Sequence, residues 1–135
     1  MQTVLFLCPH GAAKSVLAAA YFENLAEQRG LSLHADYAGT VPDAEVSHAV
    51  AELLRAEGLH FSLHPPRQAT SEDFRSTCRV VSMGCEVSDL NDLCSSGVTL
   101  DHWDDVPPVS QNLLAAREAI RAHVESLINT FYEDN

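Results

Sequence analysis

The sequence predicts an α/β fold, a single three-layer domain over residues 1–135 in which helices flank a four-stranded parallel sheet. Strand-like apolar runs alternate with amphipathic helical segments along the chain, as in doubly wound sheets. The first run, residues 4–7, is continuously apolar, which is typical of a strand buried on both faces of a parallel sheet. No repeat, low-complexity tract or linker interrupts the alternation. In such folds the functional site lies at the carboxyl ends of the strands.

The first half of the predicted sheet consists of two strands joined by a helix. After the strand at residues 4–7, a helix is expected over residues 15–29, and Gly30 fits the left-handed position just beyond a helix end. The apolar positions of this helix recur at i, i+4 and i+8, and they are Leu17, Tyr21 and Leu25. Residues 31–38 then predict the second strand.

Two helices are expected between the second and third strands. The first starts near Ser47 and ends at Gly58. A polar, proline-rich passage leads to a short helix from about Ser71, where Thr70 and Asp73 have the spacing of a capping box.

The last part of the chain predicts two more strands and a closing helix. Residues 79–83 form the third strand, and residues 84–97 have the Ser, Asn, Asp and Gly content of a mobile surface loop. Residues 98–100 form the fourth strand, and the final helix starts at about Ser110. One face of that helix is apolar and carries Leu113, Ile120, Val124, Leu127 and Phe131.

Composition excludes several classes of function. The net charge of −11, from 19 acidic and 8 basic residues, would repel nucleic acid and anionic lipid, so neither partner is expected. The first apolar run has no basic segment before it, and no stretch approaches the roughly 20 apolar residues of a membrane span. Four scattered cysteines suit the reducing cytoplasm better than a secreted disulfide scaffold. A cytoplasmic location is therefore expected, with the cysteines as catalytic or buried thiols.

The segment CPHGAAKS predicts an oxyanion-binding loop. Cys8 ends a strand just before a helix, where the helix N-terminus and converging amides favour thiolate over thiol. Lys14 would add a positive charge, and Ser15 would hold Cys8 ionised through a hydrogen bond. The anion-binding residues are then Pro9, His10, Gly11, Ala12, Ala13 and Lys14. The alternative is a buried structural cysteine that ends a core strand.

Five segments occur in a specific order, namely VLFLCPHGAAKS, YAGTVP, SHAVAELLRAEGLHFSLH, VVSMGC and HWDD. This order resembles the low-molecular-weight phosphatase and arsenate reductase superfamily over nearly the whole chain. His10 with Ala12, and Met83-Gly84-Cys85, look like the arsenate reductase branch. The resemblance implies a four-stranded parallel sheet flanked by helices and a nucleophilic role for Cys8.

The chain departs from the superfamily pattern at three positions. Lys14 stands where the family has arginine, and an ammonium group cannot make the bidentate contact of a guanidinium. Gly11 stands where asparagine is usual. The family's general acid is an aspartate before a proline, but Pro107 and Pro108 occupy the aligned pair, so Asp105, or else Asp104, would have to serve. Both aspartates also fit a solvated acidic loop.

The resemblance also implies roles for two further cysteines. In thiol-cascade reductases one cysteine captures arsenate, a second attacks the first to release arsenite, and a third closes a disulfide. Cys85 matches the second role and Cys94, in the predicted mobile loop, the third. A thioredoxin- or mycothiol-type reductant would complete the cycle. Alternatively, Cys85 is a core thiol and Cys94 an incidental one, while Cys78 has the position of a structural cysteine.

Three functions remain open from the sequence. The first is arsenate reductase-like thiol chemistry on a small oxyanion. The second is hydrolysis of phosphate esters through a cysteinyl-phosphate, which needs an acid for the leaving group. The third is an inactive oxyanion- or partner-binding module that lost the arginine. No cofactor is expected. No metal is expected either: His60 and His64 have the H-x3-H spacing, but Cys78, Cys85 and Cys94 are seven and nine residues apart and lack the paired spacing of zinc ligands.

Overall fold

The structure is a computed structural model that describes residues 2–94 and 98–133. Its elements in chain order are β1 (Gln2–Cys8), α1 (Lys14–Gln28), β2 (Leu33–Gly39), α2 (His48–Ala56), α3 (Ser71–Ser76), β3 (Arg79–Ser82), α4 (Val87–Leu93), β4 (Thr99–His102) and α5 (Leu113–Glu133). Within the described residues, no helix is both long and apolar enough to cross a membrane.

The four strands form one parallel sheet in the order β2-β1-β3-β4. Strand β1 lies between β2 and β3, with Leu7 paired to Ala38 on one side and to Ser82 on the other. Cys8 therefore ends an inner strand, at the middle of the carboxyl edge of the sheet. The predicted fold class is confirmed.

The two faces of the sheet have separate apolar cores. Helices α1, α2 and α5 cover one face, where the Phe6 ring lies 5.6 Å from that of Phe22 and 5.7 Å from that of Trp103. On the other face, Phe74 of α3 and Leu90 of α4 pack against side chains of β1 and β3. These faces make the three layers that the sequence predicts.

Local signals located most of the predicted helix ends. Gly30 and Gly58 have φ values of 70° and 73°, in the left-handed region expected of residues that follow helices. Ser47 caps α2 by accepting a hydrogen bond from the Val50 N–H. The capping box between Thr70 and Asp73 is present at the start of α3.

Two boundary predictions were wrong. The predicted loop at residues 84–97 contains helix α4, because Leu90 is buried against the second core and outweighs the loop-forming Ser, Asp and Asn around it. Residues 95–97 of that prediction lie outside the described residues. The last helix begins at Leu113 rather than at Ser110, since the Asn112 side chain accepts a hydrogen bond from the Ala115 N–H, as an N-cap does.

The loop after β1 packs backbone against backbone on the end of β2. Gly11 has a φ of 59°, and a Cβ added there would lie 2.7 Å from the Gly39 nitrogen. Conversely, a Cβ added to Gly39 would lie 2.8 Å from both the Gly11 nitrogen and the Pro9 oxygen. Neither position has room for a side chain, because the crowded atoms are main-chain atoms that cannot rotate away.

We therefore expect Gly39→Ala to lower the free energy of unfolding by about 2 kcal/mol, since one methyl group must displace the loop after β1. Phosphate binding should weaken as well. Gly58→Ala is the matched control. A Cβ added at position 58 meets no atom within 4 Å, so this substitution introduces backbone strain at a positive φ but no clash with the loop. Urea unfolding and phosphate titration of both variants measure the effects, and unchanged phosphate affinity in Gly39→Ala would contradict the prediction.

Candidate active site

The Cys8 sulfur is buried at the end of β1, with 4% of the residue exposed. Its Sγ lies 3.1 Å from the Oγ of Ser15, the second residue of α1, which is completely buried. A hydroxyl at this distance can donate a hydrogen bond to a thiolate. The structure thus brings together the predicted nucleophile and its predicted stabilising group.

Five of the six carbonyl groups of residues 8–13 accept hydrogen bonds from backbone N–H groups. They accept hydrogen bonds as follows: Cys8 from Gly11 N–H (3.2 Å), Pro9 from Val41 N–H (2.7 Å), His10 from Asp43 N–H (3.0 Å), Ala12 from Ser47 N–H (2.8 Å) and Ala13 from Leu17 N–H (3.0 Å). With these carbonyls turned away, the N–H groups of the loop can face the cleft. The first N–H groups of a helix such as α1 also lack intrahelical acceptors. The arrangement suits an anion beside Cys8.

Lys14 lines the cleft, and its amine is held by the loop that follows β4. The Nζ donates a hydrogen bond to the Val106 carbonyl oxygen at 2.9 Å. An ammonium group has three N–H donors, so this bond leaves two for an anion. The side chain predicted to bind oxyanion therefore also connects the first loop to the segment after β4.

The cleft has a volume of about 670 Å³ and is lined mainly by loop residues. Pro9, His10, Ala12 and Ala13 line it with Cys8 and Lys14, together with the acidic residues Asp43 and Glu45. The exposed His10 ring has its Nδ1 3.3 Å from the Asp43 carboxylate. Because acidic side chains line the same cleft as the cationic Lys14, we expect an anion to be bound mainly by backbone amides.

Cys85 lies at the same edge of the sheet as Cys8 and packs against the core of the opposite face. Burial raises the pKa of the Cys85 thiol, hydrogen bonding to the Ser82 and Thr40 side chains lowers it, and the charge of Cys8 raises it. Strands β1 and β3 are paired, and the Met83 N–H donates a hydrogen bond to the Leu7 carbonyl oxygen just before Cys8. The predicted first and second thiols of the cascade therefore follow adjacent strands, although Met83 and Gly84 line the cleft and Cys85 does not.

Cys94 is not close to Cys85. Cys85 precedes α4 and Cys94 is the exposed C-cap residue of that helix. At a rise of 1.5 Å per residue, the helix separates the two by roughly 10 Å, more than the ~4.4–6.8 Å between Cα atoms that a disulfide allows. The expectation that this segment is a loop free to bend was wrong, because the segment is helical.

Asp105 points towards α5 rather than into the cleft. Its Oδ1 lies 2.7 Å from the Nε2 of His123, and the His123 ring stacks on Trp103 with 4.7 Å between centroids. The hydrogen bond with His123 lowers the pKa of Asp105 below its ordinary value. A carboxyl group that stays ionised is a poor proton donor. Neither Asp104 nor Asp105 is among the cleft-lining residues.

In the part of the chain that the structure describes, no three His, Cys, Asp or Glu side chains are grouped as a metal site would require. His64 instead has its Nε2 2.9 Å from the Asp36 carboxylate. Cys78 lies just before β3, at the amino end of the strands, where its N–H donates to the Thr3 carbonyl oxygen.

The sequence model of one family, described as "Low molecular weight phosphotyrosine protein phosphatase", matches residues 3–106, from β1 to the loop after β4. The chain belongs to this family. A "putative arsenate reductase" of Halobacterium salinarum is 28% identical over 131 residues, covering 96% of this chain and 89% of the relative. Family members thus include both phosphatases and proteins named as arsenate reductases, and this chain is an enzyme of that kind.

Solved structures of both kinds share the fold. The thioredoxin-dependent arsenate reductase of Corynebacterium glutamicum is 25% identical with a TM-score of 0.82, and the match covers 100% of this chain but 64% of that one. The low molecular weight phosphotyrosine phosphatase of Vibrio cholerae O395 is 19% identical with a TM-score of 0.86, and the match covers 100% and 99% of the two chains. At 19% identity, the similarity to the Vibrio protein is evidence for the fold alone.

Three residues that contact the predicted site residues were not identified as such from the sequence. They are Gly39, which packs on the loop; Val106, which holds the Lys14 amine; and Ser82, which lies beside Cys85. Gly39 is part of the YAGTVP motif, so that motif could have identified it. Val106 contributes a carbonyl oxygen, which no side-chain pattern reveals.

Ser15→Ala should slow alkylation of Cys8 about tenfold at neutral pH, because the thiolate loses a hydrogen bond of about 1.5 kcal/mol. Ser110→Ala, a change in the lining of the same cleft, is the control and should leave the rate unchanged. Iodoacetamide labelling with peptide mapping, with and without saturating phosphate, measures the rates. Equal rates in Ser15→Ala and wild type, or no protection by phosphate, would argue against this site.

Lys14→Ala should weaken phosphate binding about tenfold, through loss of one charged hydrogen bond. It should also change the fluorescence of Trp103, the single tryptophan, because the segment it belongs to loses its bond to Lys14. Lys14→Arg should keep the affinity within about twofold, since the charge remains. Arg55→Ala removes an exposed charge elsewhere and is the control. Wild-type phosphate affinity in Lys14→Ala would show that Lys14 serves only the Val106 contact.

Proposed function

We propose that this enzyme reduces arsenate, with Cys8 capturing the oxyanion and Cys85 reducing it. The position of Cys85 just after β3, the strand that pairs with β1, carries the proposal, because hydrolysis of an ester needs one thiol and reduction needs two. The similarity to the Halobacterium and Corynebacterium proteins supports it.

The first step is capture of arsenate in the loop. The Cys8 thiolate attacks arsenic, a sulfur–arsenic bond forms, and one arsenate oxygen leaves as water after protonation. Ser15 holds the thiolate through the 3.1 Å contact, while the loop N–H groups and Lys14 bind the remaining oxygens. Arsenic stays in its +5 state during this step.

The second step is the reduction. The Cys85 thiolate attacks the Cys8 sulfur, a disulfide bond forms, and the electron pair of the sulfur–arsenic bond goes to arsenic. Arsenic falls from +5 to +3, arsenite leaves after taking up protons, and the two cysteine sulfurs together lose two electrons. The product is a Cys8–Cys85 disulfide.

In the third step Cys94 attacks Cys85 and releases Cys8. This requires α4 to unwind, because the helix holds the two thiols too far apart. Helix α4 is suited to opening: Leu90 is its only buried residue, and its N-cap residue Glu86 makes no side-chain cap. A dithiol reductant of the thioredoxin or mycothiol type would then reduce the Cys85–Cys94 disulfide in the cytoplasm.

Phosphate-ester hydrolysis is the competing function, and the family description favours it. It needs a protonated acid beside the leaving group. The acidic residue closest to the expected position, Asp105, is exposed and paired with His123, and its pKa is lowered. This arrangement supports reduction over hydrolysis, because the leaving group of an ester needs a positioned acid, whereas the arsenate oxygen that leaves as water can take its protons from solvent.

The test is to expose the reduced protein to arsenate, count the remaining thiols by intact mass, and assay arsenite. Loss of two thiols with release of arsenite is the expected result. Release of nitrophenol from an aryl phosphate without thiol loss would establish the phosphatase instead. Neither signal would identify an inactive binding module. Cys78→Ser is the control variant, because Cys78 lies at the amino end of the strands and should not affect either assay.

Cys94→Ser should still release one arsenite per chain and then stop, because the Cys8–Cys85 disulfide has no third thiol to resolve it. In wild type, oxidation should join Cys85 to Cys94 and reduce the far-ultraviolet helical signal as α4 unwinds. Peptide mapping and circular dichroism check these outcomes. Repeated turnover by Cys94→Ser with a dithiol reductant would refute a role for Cys94.

A further inference from the structure

Two serines are the fully buried polar residues in the described part of the chain, and each lies beside one of the two proposed relay thiols. Ser15 contacts Cys8, as described above. Ser82 is 1% exposed at the end of β3, three residues before Cys85. The first serine has its partner in the structure, whereas the second does not.

The Ser82 hydroxyl has no hydrogen-bond partner among the described residues. A buried hydroxyl without a partner is destabilising, and such groups are rare in folded proteins. The two residues before it, Val80 and Val81, are apolar and completely buried, so the strand does not need a polar side chain for packing. The hydroxyl therefore calls for an explanation other than stability.

The position of Ser82 places its side chain towards Cys85. Side chains alternate along a strand, so Ser82 faces the same side of the sheet as Val80, which belongs to the core that Cys85 packs against. Gly84, with a φ of 82°, turns the chain between Ser82 and Cys85. Thr40, directly after β2, approaches Cys85 from the other side of β1.

We propose that Ser82 and Thr40 are positioning residues that donate hydrogen bonds to Cys85 when it becomes a thiolate, and so prepare it to attack Cys8. This inference rests on the proposed role of Cys85 as the second thiol. It goes beyond that role by assigning the groups that activate the thiol.

The thiol state of Cys85 explains why the Ser82 hydroxyl has no partner. A neutral sulfur is a weak acceptor, whereas a thiolate is a strong one, so the hydrogen bond forms only on ionisation. Burial raises the pKa of Cys85, Ser82 and Thr40 lower it, and the charges of Cys8 and Asp89 raise it. The two hydroxyl groups thus oppose three influences that would keep Cys85 protonated and unreactive.

The test measures iodoacetamide alkylation of Cys85 between pH 6 and 9 by peptide mapping, in the reduced full chain with phosphate protecting Cys8. Ser82→Ala should lower the Cys85 rate at pH 7.5 by about three- to tenfold and move its pH midpoint upwards. Ser82→Thr keeps a hydroxyl and should restore the wild-type rate. Thr40→Val should lower the rate in the same direction. Alkylation of Cys78 and Cys94 in each variant provides the internal control.

A purely structural role for Ser82 predicts a different result, namely a change in the urea midpoint with no change in the pH profile of Cys85. Unchanged Cys85 alkylation in Ser82→Ala would overturn the inference, and so would a loss that Ser82→Thr fails to restore. If Cys85 depends on Ser82 while wild type releases no arsenite, the inference stands and the proposed function fails. If wild type releases arsenite but Ser82→Ala alkylates normally, the function stands and the inference fails.

Discussion

The site depends on how the main chain of the loop after β1 is held. Its carbonyls at Pro9, His10 and Ala12 accept hydrogen bonds from the segment that leads from β2 to α2. The close approach of Gly11 to Gly39 fixes the same two segments together without any side chain. Because the carbonyls are held from outside, the amides can point inwards. An acidic protein of net charge −11 can thereby bind an anion through main-chain dipoles.

Much of the fold could be predicted from the sequence, because its signals are local. The apolar strand at residues 4–7, the glycine after α1 and the Thr70–Asp73 capping box each act within a few residues. Helix α4 was missed for the opposite reason. Its Ser, Asp and Asn residues favour a loop locally, and only the tertiary contact of Leu90 with the second core favours the helix.

The same distinction applies to the site. Cys8 and Ser15 are seven residues apart, so a strand followed by a helix suffices to predict their contact. The Lys14 contact with Val106 joins residues 92 positions apart, through the pairing of β1, β3 and β4. The pairing of Asp105 with His123 depends on the rotation of α5 about its axis, which the apolar stripe fixes only roughly. Contacts of this type follow from the assembled sheet.

Helix α4 gives the molecule regions of unequal stability. Leu90 is its single buried residue, whereas β1 is buried from Val4 to Cys8, so α4 can open at a lower free energy than the sheet. A covalent change involving Cys94 would then alter one patch of surface and leave the anion loop in place. The cleft at Cys8 would be the same in the oxidised and the reduced chain. A reductant that acts on the oxidised chain alone would therefore have to recognise the shape of that patch.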